Sequence, residues 1–105
     1  MNDLLERIEE WYSSQCDGEW EHRWGVQIET LDNPGWIVRI DLVGTGLEGA
    51  SFERSENMDS ATAWLDCRTR DAQWVGAGGP RMLRRILGEF LDWAGPVDAR
   101  GSSAG

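Results

Sequence analysis

Hydrophobic residues recur along this chain with two different periods. Leu4, Leu5, Ile8, Trp11 and Tyr12 repeat at helical spacing and predict an amphipathic helix ending near Gln15, before Asp17-Gly18. Asp3 and Glu6 have the spacing of a capping box at its start. From Trp24 the period changes to two. Trp24, Val26, Ile28 and Thr30 share one face, and after Asp32-Asn33-Pro34-Gly35 the alternation resumes with Trp36, Val38, Ile40 and Leu42. This pattern predicts a β-hairpin. The two apolar faces align only across a loop with an odd number of residues, which favours a loop over 31–35 with Ile28 beside Val38 and Val26 beside Ile40.

The middle of the chain carries weaker signals. Ala50 to Arg54, around Phe52, predicts a short third strand, and Ala63 to Thr69 a fourth that extends towards Val75. Gly76-Ala77-Gly78-Gly79-Pro80 reads as a break, with Pro80 in the first turn of a second helix. Leu83, Ile86, Leu87, Phe90, Leu91 and Ala94 form that helix's apolar stripe, which Gly95-Pro96 ends. The remainder, rich in Gly, Ser and Ala, reads as a disordered tail over 96–105. The expectation is one α+β domain over 1–95. It comprises an antiparallel meander of about four strands, with an N-terminal and a C-terminal helix packed on one face.

Charge narrows the function classes. The chain has 105 residues, 19 acidic and 10 basic, for a formal net charge of -9, and every basic residue is Arg. Residues 1–32 carry nine acids against Arg7 and Arg23, a net of -7, so the excess enters with the first third. Such a balance argues against a general nucleic-acid binder and against electrostatic attachment to a membrane. No apolar run approaches the roughly 20 residues that span a bilayer, and the N-terminus lacks a signal peptide's basic and apolar regions. The expected location is the cytoplasm, where Cys16 and Cys67 would be thiols rather than a disulfide. The expected assembly is a monomer or weak homodimer.

The densest run of chemically capable residues is 11–25. Cys16, Asp17 and His22, with the distant Cys67, lack the paired spacing of a structural zinc site. A Cys16–His22 nucleophile pair lacks an orienting partner. Glu19 and Glu21 could flank a sugar as glycosidase carboxylates do, but acids this frequent pair by chance. The Gly76–Gly79 run lacks the lysine of a phosphate-binding loop. No catalytic residue, metal or cofactor is expected. Seven tryptophans leave a second possibility, a small-molecule or carbohydrate-binding domain that stacks ligands on indoles.

The string Trp11-Tyr12-x-x-Gln15-Cys16-Asp17-Gly18-x-Trp20-Glu21-His22-x-x-Gly25, followed by Thr30-Leu31-Asp32-Asn33-Pro34-Gly35-Trp36, resembles the immunity protein 53 family. Trp64-x-x-Cys67, Gly76-x-Gly78-Gly79-Pro80 and Leu83-x-x-Ile86-Leu87-x-x-Phe90 extend the likeness over roughly residues 4–94. Position 74 is Trp where Phe is the expected residue of the family. The resemblance implies a cytoplasmic immunity protein of a bacterial polymorphic toxin system, which binds and neutralises a cognate toxin domain. A chain this acidic suits a basic partner such as a nuclease toxin. Asp17, Glu19, Trp20, Glu21 and Asp32 are then candidates for the toxin-binding surface. The competing reading is that Gln15, Asp17, Glu21 and His22 fix a helix-to-strand corner by bonding to backbone. Cys16 and Trp36 belong to the same motifs with either role open.

Overall fold

A computed structural model describes residues 3–95. Helix α1 (Leu4–Gln15) leads into a single-turn helix, α2 (Trp20–Arg23), and then into the hairpin β1 (Val26–Leu31) and β2 (Gly35–Asp41). A long crossover reaches β3 (Ser55–Met58), after which β4 (Trp64–Arg70), β5 (Gln73–Gly78) and α3 (Leu83–Ala94) follow. Every pairing is antiparallel, and the order across the sheet is β1-β2-β5-β4-β3. The architecture is the expected α+β one, with five strands rather than about four. The last strand, not the third, lies beside β2, so two meandering pieces meet at the β2–β5 seam. The tail expected over 96–105 lies outside the described residues.

The β1–β2 register is the expected one, Val26 opposite Ile40 and Ile28 opposite Val38. Pairing continues to Leu31 and Gly35, so the loop is Asp32-Asn33-Pro34, shorter than expected. The strand expected at Ala50–Arg54 is instead part of the crossover. Phe52 packs edge-on against Trp74 and Trp93 at 5.9 and 5.2 Å, and the Trp93 indole N–H donates to the Ser51 carbonyl at 2.8 Å. Side-chain anchors, not a neighbouring strand, hold that segment, and β3 begins only at Ser55.

The fifth strand is the one the residues concealed. Asp71 and Ala72 make a two-residue turn with φ of +53° and +61°, a conformation usually signalled by Asn-Gly or Asp-Gly. Gly76 and Gly78, which read as part of a break, instead belong to β5. A Cβ on Gly76 would lie 2.5 Å from the Trp74 ring and 2.7 Å from Ile86 Cγ2, so its bare backbone lets α3 settle onto the sheet.

The core lies between α3 and the sheet. Ile86, Leu87, Phe90 and Leu91 face Val38, Ile40, Leu65, Cys67 and Trp74, all buried. Phe90 meets Trp74 at 5.3 Å and Trp11 of α1 at 5.0 Å, so α1 reaches the core through α3. Leu5, Tyr12 and Ile28, expected on buried stripes, are 60%, 39% and 41% exposed. Leu5 and Tyr12 sit on the outer edge of the α1 stripe, and α3 does not extend over β1 to cover Ile28.

Candidate functional site

Asp3 caps α1, its carboxylate accepting from the Leu5 N–H at 3.1 Å; the helix ends where Cys16 turns extended. The chain then reverses through Gly18, at φ +96°, into α2. A one-turn helix leaves its first N–H groups without partners inside it, and the turn before it has donors of its own; two side chains serve these groups. Asp17 Oδ1 accepts from the Glu19 and Trp20 N–H at 3.0 and 2.9 Å. Glu21 reaches back, and its two carboxylate oxygens accept from the Asp17 and Gly18 N–H, both at 2.9 Å. The reciprocal arrangement works as a capping box does.

Both carboxylates are held below the usual range. The Trp20 N–H contributes most for Asp17, followed by the Glu19 N–H. For Glu21 its own backbone N–H leads, with those of Asp17 and Gly18 adding to it.

Trp20 locks the corner to the sheet. Its ring is buried, stands edge-on to Trp11 at 6.1 Å, and its indole N–H donates to the Val43 carbonyl at 2.8 Å. Asp41 fastens the exit, accepting from the Gly25 N–H and the Gln73 side-chain amide, each at 3.0 Å. Between corner and crossover lies an open groove of about 430 Å³. Its floor is Trp20, Trp24, Val43 and Gly44, and its rim includes Asp17, Glu19, His22 and Arg23.

The structure brings most of the sequence-predicted residues together and separates two. Gln15 lies half-buried beside Ser14, Cys16 donates its thiol to the Tyr12 carbonyl at 3.3 Å, and His22 is exposed on the groove rim. Glu19 is exposed and forms no ion pair among the described residues. Asp32 and Trp36 belong to the far end of the β1–β2 hairpin, about 20 Å away at the rise of an extended strand. There the Trp36 indole N–H donates to the Pro80 carbonyl at 2.9 Å, tying the hairpin tip to the approach of α3.

Sequence reasoning missed Trp24, Val43 and Gly44 as groove residues. Trp24 reads as the start of a strand, and nothing local signals that the crossover folds back over Trp20.

Chemically, the groove offers two carboxylates, an imidazole and a guanidinium on an apolar floor. Cys67 takes no part, being buried in β4 with its thiol pushed up to about 12 by desolvation. Among the described residues no three His, Cys, Asp or Glu side chains are placed to hold a metal ion, and no helix is long and apolar enough to cross a membrane. No tryptophan is fully exposed: Trp11, Trp20 and Trp74 are buried, and Trp24, Trp36, Trp64 and Trp93 are half-buried.

The family model described as immunity protein 53 matches residues 5–95. The chain belongs to the immunity protein 53 family. The family implies an immunity protein directed against a toxin, and the matched span includes the corner, the whole sheet and α3. Neither the curated proteins nor the solved structures gave a match.

Proposed function

We propose that this immunity protein neutralises a basic toxin domain by direct contact, through an acidic surface running from α1 to the corner. The observation that carries the proposal is the set of carboxylates left uncommitted. Glu6, Glu9 and Glu10 on α1 and Glu19 at the corner are exposed, and none pairs with a cation among the described residues. Leu5 and Tyr12 lie exposed on the same helix, one turn either side of Glu9, and offer apolar anchors within that field.

Glu6, Glu9 and Glu10, within a turn of one another on α1, repel in the free protein, and a basic partner relieves that repulsion while gaining a steered encounter. Nuclease toxins fit the description, because a phosphate substrate selects for a basic surface. Of the residues singled out by sequence, Glu19 stays in the contact surface. Asp17 and Glu21 support it by fixing the corner, and Trp20 supports it from below. Toxin neutralisation by binding requires no turnover, and the buried or half-buried indoles give little support to ligand stacking.

The test is calorimetric titration with the toxin domain encoded beside the gene, for the wild type and for Glu9→Lys with Glu19→Lys. One-to-one binding that the double variant weakens at least tenfold supports the reading. Binding that is unchanged by the double variant moves the contact surface elsewhere.

A further inference from the structure

The two edges of the sheet are built differently. β3 is a four-residue edge whose Glu56 is tied to Arg54, the short and charged edge that resists pairing. β1 has six residues, no proline, no lysine and an unbroken one-to-one register with β2, so no bulge twists it away. The Asp41 N–H donates to the Gly25 carbonyl at 3.1 Å, which fixes the alternation along β1. Odd-numbered residues therefore address β2, and the N–H and C=O groups of Val26, Ile28 and Thr30 point out of the sheet. Beside this ladder, unpaired among the described residues, Ile28 is 41% exposed.

We propose that β1 pairs antiparallel with β1 of a second copy of this chain, centred on Ile28, joining two five-stranded sheets into one. The outward-facing groups set that register. Ile28 meets Ile28 of the other copy, Val26 meets Thr30, and Gln27 meets Glu29. Val26, Ile28 and Thr30 thus each face an apolar or β-branched side chain, and the like charges of the two Glu29 residues are kept apart. Glu29 already lies against Arg39 at 3.3 Å within its own chain, so the pairing strands no new charge.

The same register runs Asp32 of one copy alongside Trp24 and Arg23 of the other. Both Asp32 and Arg23 are exposed and form no ion pair among the described residues, so each supplies what the other lacks. Asp32, distant from the corner within one chain, would reach the groove rim of its partner. A single strand pair is a small interface, so the dimer forms and dissociates with concentration.

The experiment uses the full chain. Sedimentation velocity over a concentration series is expected to show a monomer–dimer equilibrium, weakened at least tenfold by Ile28→Lys. Arg23→Asp and Asp32→Arg are each expected to weaken it as well, and the double charge exchange to restore it. In a Cys16→Ser background, mild oxidation of Ile28→Cys is expected to give a covalent dimer. Hydrogen-bonded antiparallel partners sit about 5.5 Å apart at Cα, within disulfide reach. Gln27→Cys, whose own counterpart lies out of register, is expected to stay monomeric.

A chain that remains monomeric at every concentration overturns the proposal. So does equal cross-linking of Gln27→Cys and Ile28→Cys, or a charge exchange that fails to restore association. If the wild type is monomeric and Ile28→Lys abolishes toxin binding, the edge serves a strand of the toxin instead.

Discussion

The corner between α1 and β1 and the seam between β5 and α3 are both made of motif residues, and they solve opposite problems. At the corner the chain reverses near the surface, and polar side chains are added to satisfy the backbone donors of the turn and of the start of a one-turn helix. At the seam a helix must approach a sheet closely, and side chains are removed so that Ile86 can sit over Gly76 and Gly78. Neither set of residues is needed to touch a partner in order to matter. A stretch dense in Trp, Asp, Glu and His can serve geometry, and the surface available for recognition is then what the geometry leaves uncommitted.

The seam should be the more fragile of the two. Gly76→Ala places a methyl among atoms under 3 Å away and is expected to cost about 3 kcal/mol, read as a lowered urea midpoint. An unchanged midpoint would mean that α3 does not press on β5. The next largest effect separates two buried indoles. Trp20→Phe abandons the Val43 carbonyl and is expected to cost about 1–2 kcal/mol. Trp74 Nε1, by contrast, is buried with no hydrogen-bond partner among the described residues. Trp74→Phe removes an unsatisfied donor along with some apolar area, so it is expected to change stability by less than about 1 kcal/mol. The family resemblance leads to an expectation of Phe at position 74, and Phe there would carry no N–H to leave unsatisfied.

Those two tryptophans show how far the sequence can be read. The helical and alternating periods disclose α1, α3 and the β1–β2 register, because burial of one face imposes a period on the residues. The β4–β5 hairpin is hidden, because its turn uses Ala72 at positive φ and two of the six residues in its second strand are glycine. Glycine carries no periodic signal, although here its absence of a side chain is what packs the helix. At the candidate site the motif marks the right segment but not the roles within it. That Trp20 is core depends on the crossover returning to Val43, a contact 23 residues away in sequence, whereas the backbone bonds of Asp17 and Glu21 are local and match the corner reading that the residues offered.

A smaller effect sharpens the contrast from the outer side of α3. Gly88 would meet no heavy atom within 4 Å if given a Cβ, so Gly88→Ala is expected to stabilise by up to about 1 kcal/mol through helix propensity. A destabilisation there would show contacts that the seam argument omits.

The smallest effect belongs to the corner and is lost in acid. Asp17 and Glu21 bind protons less readily folded than unfolded, so their contribution is present above about pH 4.5 and is lost as pH falls through the lowered folded values. Glu21→Gln is expected to flatten that acid limb of the urea midpoint while leaving its position at pH 7 the lower of the two. Identical acid limbs for variant and wild type would remove Glu21 from the corner's support.

The central claim is that recognition uses the uncommitted acids of α1 and the corner. The most direct measurement is the affinity for the adjacent-encoded toxin domain at two salt concentrations, with the wild type and with Glu9→Lys plus Glu19→Lys. An acidic contact surface predicts tight one-to-one binding that salt weakens, and a salt dependence that the double variant reduces. Tight binding with the same salt response in both proteins would contradict it.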